Sequence, residues 1–258
     1  MQGIVELQLA QFAVVYLLLL VVLAIMKRCR ISQSKLLVTA SIRMTVQLVL
    51  AGYILSYIFE NPHPVFTILY LAAMVVFAVW RILSKNPWLP QNFRLTIAGS
   101  LAGAGVCMVL FFVGGIVRVD IFDPQYTIPL SGMIIGNAMT GVTLGLKSFH
   151  EQLTARKNQV DTLLNLGVAP QLILTPFAAS ALETALLPTL NSMLGMGIVS
   201  LPGMMTGQIL SGTLPTTAIL YQIAIMITIC TVVCLTTFSS LFLGCKTLYN
   251  KRGQIMEF

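Results

Sequence analysis

Thioethers, amides and hydroxyls set inside apolar stretches are the groups of this chain that could do chemistry. Met204, Met205 and Gln208 lie close together in GMGIVSLPGMMTGQILSG, and Met133 and Met139 lie in the earlier SGMIIGNAMTG. Thioethers are soft ligands that suit copper(I) better than iron, so these methionines read either as a transient thioether-lined route or as filling for irregular gaps between helices. Asn137 and Thr140 add polar groups to the earlier stretch. A polar group in an apolar surrounding must find a partner or face a wet path, so these two read as pathway lining or as interhelical glue. Arg43, in SIRMTVQ, is a basic residue drawn well inside an apolar segment, away from its ends. It either snorkels toward a helix end or, with Gln47 one turn on, faces an internal cavity.

Other chemistries lack their residues. GVTLGLKS, from Gly141 to Ser148, resembles a phosphate loop superficially, but Leu146 separates Gly145 from Lys147, so ATP has no site there. No serine, histidine and acid constellation in an aqueous site supports an enzyme. His63 stands alone between prolines, and a metal site needs several converging ligands. The five cysteines, Cys29, Cys107, Cys230, Cys234 and Cys245, are odd in number and sit mostly in apolar stretches, which argues against a disulfide framework. Glu183, in FAASALETALLP, is expected at the cytoplasmic interface, with no second acid inside a predicted span to form a proton relay.

Small residues mark where helices could approach. Gly132 and Gly136 are four apart, as are Gly99 and Gly103, and Gly141 and Gly145, and packing is the main reading for each pair. On the glycine-rich stretch Gly203, Gly207 and Ser211 make a small-residue stripe, with Gln208 one residue off it and able to address a cavity.

The elements that must position these groups follow from composition. Hydrophobic residues make up 57% of the 258 residues and charged residues 9%, far from the roughly 25% charged of soluble domains. The chain is therefore expected to be an all-α polytopic membrane protein, one transmembrane domain over residues 1–258. Seven apolar segments can be drawn: Gln8 to Met26, Leu36 to Phe59, Val65 to Leu83, Leu95 to Val117, Ile128 to Leu146, Leu190 to Ser211, and Thr216 to Cys245. The first lacks a basic region before it and reads as a retained span. The net charge of +7 is scattered at the ends of apolar runs, so it reads as topology and not as a nucleic-acid surface. With the N-terminus outside and the C-terminus inside, Lys and Arg sort to the cytoplasm, with Arg118 alone in an outside loop, while Glu6, Glu60, Asp120 and Asp123 lie outside.

Between the fifth and sixth segments runs a polar, amphipathic stretch, residues 147–189, expected as a cytoplasmic coupling segment. Leu153, Val160, Leu163 and Leu164 share one helical face, with Arg156, Lys157, Asn158 and Asp161 elsewhere. Leu166 is predicted to end a helix with Gly167 as a left-handed cap, and Pro170 to start the next. The result is a helix-turn-helix knuckle, or a mere surface hairpin of the same shape.

SLPGMMTGQILSG and LNLGVAP, with TASIRMTVQLVLAGY, PLSGMIIGNAM and YQIAIM in support, resemble the FetB-type permease subunits of ATP-binding-cassette transporters over nearly the whole chain. That family is linked to iron export in bacteria and has plant relatives in aluminium tolerance. The resemblance implies a multi-pass permease of the plasma (inner) membrane that exports iron or another metal. It also implies pairing with a second copy and with two cytoplasmic ATPase subunits carrying ATP-Mg, with no cofactor on this chain. Asp161, Thr162, Leu163, Gly167, Ala169 and Pro170 are the expected ATPase-coupling positions. Only the spacing and the glycine of the import-type coupling motif survive there. Family members often have Ala-Thr-Pro after this glycine, and Val168 and Ala169 lack that threonine's capping oxygen. Alternatives are a nucleotide-sugar transporter subunit, a secondary carrier or a non-transporting membrane scaffold.

Overall fold

The computed structural model describes residues 9–249. In chain order its elements are α1 (Leu9–Arg28), α2 (Ser34–Glu60), α3 (Pro64–Lys85), α4 (Gln91–Leu110), α5 (Pro124–Ala155), α6 (Lys157–Asn165), α7 (Pro170–Gly195), α8 (Gly203–Leu210) and α9 (Pro215–Phe238). Two runs of π-helix extend them, Phe111–Val117 after α4 and Ser239–Leu243 after α9. No strand occurs among the described residues; an isolated bridge joins Met196 and Ser200. The expectations for Glu6, Lys251 and Arg252 fall outside the described residues.

Prolines place several helix starts. Pro64, Pro124, Pro170 and Pro215 each open a helix at its first position, where the missing N–H has no intrahelical partner to lose. At α5 the Asp123 carboxylate also accepts from the Gln125 N–H at 3.0 Å, capping the helix. Within the helices, hydroxyls turn back on the backbone: Thr140 donates to the Gly136 carbonyl at 3.0 Å and Thr228 to the Ala224 carbonyl at 2.9 Å. Such bonds satisfy a polar side chain without a partner helix, which lets threonine sit in an apolar segment.

Among the described residues six segments are long and apolar enough to cross a membrane: α2, α3, α4 with its π-helical extension, α5, α7, and α9 with its extension. The apolar 20-residue α1 precedes them. The sixth expected span, Leu190 to Ser211, is corrected. The helix breaks after Gly195, passes through a turn in which Gly197 has φ 81°, and resumes only as the eight-residue α8. Eight residues rise about 12 Å, too little for a hydrocarbon core of about 30 Å. The spanning helix is instead α7, whose first 20 residues were expected in the coupling segment. It runs through Pro176 and Pro188 without ending. Residues 147–155 likewise continue α5, so of the stretch 147–189 only Arg156 to Ala169 stands between the two long helices.

The core lies around α5, which packs on α3, α4, α7 and α9. Gly141 and Gly145 make two of these contacts close. A Cβ at Gly141 would come 2.6 Å from Val233 Cγ1, and one at Gly145 would come 2.8 Å from Thr237 Cγ2 and 3.5 Å from the Ala181 carbonyl oxygen. Ile134, Ala138, Val142, Leu146 and Phe149 fill the same region and are fully buried. By contrast α1 and α2 touch chiefly each other, and α2 is nearly all exposed.

Candidate functional site

A cavity of about 240 Å³ lies where α5, α7, α8 and α9 meet. Its polar groups come from α5 (Asn137, Thr140), the C-terminal half of α7 (Thr189, Ser192) and α9 (Gln222). Four methionines reach it from four segments: Met133 of α5, Met196 of the turn after α7, Met204 of α8 and Met226 of α9. The break that stops α7 at Gly195 is what brings Met196 and α8 back over the cavity. Larger crevices between α1 and α2 and among α3, α4 and α5 are almost wholly apolar and suit acyl chains.

Gln222 is the most constrained polar side chain here. It is 5% exposed, donates from Nε2 to the Met196 sulfur at 3.8 Å, and its carbonyl oxygen is buried with no hydrogen-bond partner. An unpaired buried carbonyl oxygen costs about 1–3 kcal/mol, so the site holds unspent capacity for a ligand. No acid, histidine, cysteine, lysine or arginine lines the cavity. Among the described residues no group of three or more His, Cys, Asp or Glu converges anywhere.

The structure sorts the expected pathway residues. Asn137, Thr140 and Met204 line the cavity together. Met205 is buried at 8% exposure on another face of α8, and Gln208 does not line the cavity, although its side-chain oxygen is buried without a partner. Arg43 and Gln47 share an exposed hollow on α2. The Arg43 guanidinium sits 5.7 Å from the Phe77 ring centre and 5.9 Å from that of Trp80, so its contact comes from α3 aromatics. Gln222, Met196 and Met226 were not singled out from sequence. An amide in the apolar run AILYQIAIM was the available signal for Gln222, since a polar group at that depth must be paired or functional.

The small-residue positions differ in their surroundings within this chain. The close approach expected at Gly136, Gly203 and Gly207 does not occur within this chain, where a Cβ would meet no atom within 4 Å, whereas one at Gly132 would come 3.1 Å from Met74 Cε. Glu183 falls inside α7, exposed, and has no ion pair among the described residues. It therefore lies midway along a candidate span and not at the helix end expected for an interfacial acid.

At the far end of α5 and α7 stands α6. Its cap forms as the sequence predicts: Gly167 has φ 81°, its N–H donates to the Leu164 carbonyl at 2.9 Å, and the Val168 N–H donates to the Leu163 carbonyl at 3.1 Å. These are the two bonds of a Schellman turn. Val160 is buried, Leu163 and Leu164 pack against the core, and Asp161, Thr162, Gly167 and Ala169 are exposed. Pro170 is half-buried at the start of α7. Between this end and the cavity a polar ladder ties the two helices. Gln152 donates to Ser148 at 3.0 Å and to Ser180 at 3.1 Å, and Ser148 donates to Thr184 at 3.2 Å.

Among the described residues, six segments long and apolar enough to cross a membrane, with a half-open hollow between α5, α7, α8 and α9 and a capped amphipathic helix at one end, define a polytopic membrane protein. The chain belongs to the uncharacterised protein family UPF0014, which it matches over residues 9–249. It is 32% identical to the UPF0014 membrane protein YjkA of Bacillus subtilis over 234 residues, covering 86% of this chain and 91% of that one. It is 29% identical to the probable iron export permease protein FetB of Escherichia coli over 244 residues, 95% of this chain and 93% of that one. A plant relative, the protein ALUMINUM SENSITIVE 3 of Arabidopsis thaliana, is 30% identical over 213 residues, 83% of this chain and 77% of its own. No solved structure matches the chain.

Proposed function

We propose that this chain is the membrane subunit of an ATP-binding-cassette exporter, moving iron or another metal and driven by two copies of a separate ATPase that dock on α6. The observation that carries the reading is the link from α6 to the cavity. The nine-residue α6 and its capped turn join α5 to α7, and those two helices form adjoining walls of the cavity. Thr140 lies 16 residues before Arg156, about 24 Å away at 1.5 Å per residue. A push on α6 therefore reaches the cavity through two helices held together by the Gln152 ladder. Alternating access needs such a stiff connection between partner and pathway.

A second copy of the chain fits the exposed polar face of α5 and α7. Asn137, Thr140 and Glu183 point out of this chain at span depth, where a lone carboxylate facing lipid would cost about 3 kcal/mol. Packing against a second copy around a wet path removes that cost. The relative named as an iron export permease supports a metal cargo, and the cavity offers no basic side chain to hold the pyrophosphate of a nucleotide sugar.

The test is ATP hydrolysis and metal flux in liposomes that contain this chain with and without its ATPase partner. Flux that needs both proteins and ATP is the expected result. Flux through this chain alone, driven by an ion gradient, would make it a carrier and remove the docking role of α6.

A further inference from the structure

We propose that the cavity at the junction of α5, α7, α8 and α9 is a binding site for a soft monovalent cation of the copper(I) and silver(I) class, held by the thioethers of Met133, Met196, Met204 and Met226. Binding stands on the geometry alone; that the bound ion is also the cargo rests on the transport reading above.

Three features of the site point to this chemistry. First, four of the thirteen methionines converge on one cavity of about 240 Å³, each from a different segment. Four methionine side chains lining one hollow offer the donors from which a thioether shell could be drawn. Thioethers favour copper(I) and its close analogue silver(I) over the harder iron and aluminium ions.

Secondly, the charge of the site is right for a single positive charge. No carboxylate, thiolate or imidazole lines it. The cost of taking an ion out of water rises with the square of its charge, so a neutral sulfur cage that tolerates a monovalent ion leaves a divalent or trivalent one uncompensated.

Thirdly, Gln222 marks the place of a missing partner. Its amide N–H already contacts the Met196 sulfur at 3.8 Å, while its carbonyl oxygen, 95% buried with the rest of the side chain, has nothing to accept from. A cation among the sulfurs lets that oxygen turn its lone pair toward positive charge. The Met196 sulfur sits in a turn between α7 and α8 and not on a rigid helix. Relative motion of α7 and α8 would therefore change the sulfur shell, which suits a site that must load and release.

The experiment uses the full chain in detergent, without any ATPase, in a background with all five cysteines changed to alanine so that thiols do not compete. Silver(I) retention after desalting, and copper(I) X-ray absorption, are compared for this background and for its Met196→Leu/Met204→Leu and Met205→Leu variants. Leucine keeps the side-chain volume, and Met205 is a buried neighbour that does not line the cavity. The expected result is one silver ion per chain, a shell around copper(I) made mainly of sulfur, and affinity reduced by about tenfold or more in the double variant but unchanged in Met205→Leu. Iron(II) and aluminium(III) should not be retained. No silver retention by the folded background chain overturns the proposal, as does retention that the double variant leaves unchanged or that Met205→Leu lowers equally. Because no ATPase is present, failure here leaves the transporter reading standing, and failure of ATP-driven flux leaves the binding result standing.

Discussion

Gly141 and Gly145 on α5 have the same spacing as Gly203 and Gly207 on α8, and their surroundings are opposite. At the first pair α9 presses so close that a methyl group would overlap Val233 and Thr237; at the second pair a methyl group meets nothing within 4 Å. A small residue every fourth position shows where a helix is able to approach, not whether one does. The difference lies in helix length and place: α5 is 32 residues and central to the bundle, whereas α8 is eight residues and lies beside α9 over the cavity.

The comparison can be broken most sharply at Gly145. Gly145→Leu puts four carbons where Thr237 and Ala185 already sit, and overpacking of this kind costs about 1–3 kcal/mol or more. Loss of monodisperse protein on size exclusion, or a thermal midpoint in detergent well below the parent's, is expected; an unchanged midpoint would mean that α5, α7 and α9 are not in this contact.

A smaller and more local effect is expected at Gly167, which is also uncrowded but has φ 81°. A β-branched residue in that conformation costs about 1–2 kcal/mol, spent at the α6 turn and not in the bundle. Gly167→Val should retain the parent's midpoint to within a few degrees while losing affinity for the ATPase and its stimulated hydrolysis. Full stimulation by the variant would dissociate this turn from coupling.

Gly244 offers a third case, packed like Gly141, with its Cα against the Phe93 ring. Its neighbour Cys245 is buried, and burial pushes the thiol up from 9.0 to about 12. The thiolate is the reactive form, so Cys245 should label with maleimide far more slowly than exposed Cys29 at pH 8, and its rate should climb roughly tenfold per pH unit below that value. Gly244→Ala, which must displace Phe93, should speed labelling at fixed pH. Equal rates for Cys245 and Cys29 in the parent would show that this end of α9 is open.

The smallest effect is expected at Gly207. Gly207→Leu should leave the midpoint of the isolated chain unchanged, because a Cβ there meets nothing within 4 Å and the glycine is exposed. If the detergent-stable yield of the assembled transporter falls while the chain itself is intact, the open face of α8 is where a second copy sits; an unchanged yield places that copy elsewhere.

Composition and periodicity settled a good deal without any coordinates. An apolar chain with few charges must hide its backbone polar groups in helices, and the all-α fold follows. Pro170 could be read as a helix start and Gly167 as a left-handed cap from local propensity, and Pro64, Pro124 and Pro215 open helices for the same reason. Hydropathy failed between Lys147 and Ser211. There α7 carries Pro176, Glu183 and Pro188 and so looks unlike a span, while the apolar run after Leu190 contains the break at Gly195. Whether proline and glutamate are tolerated at that depth depends on what packs around them, and a window of sequence does not contain its neighbours. The site divides in the same way. Asn137, Thr140 and Met204 were visible as polar or soft groups in apolar runs, but Gln222, Met196 and Met226 join them only because the turn after α7 folds α8 back against α9. Local propensity is written residue by residue; convergence of four segments on one cavity is a property of their packing, and only the tertiary structure decides it.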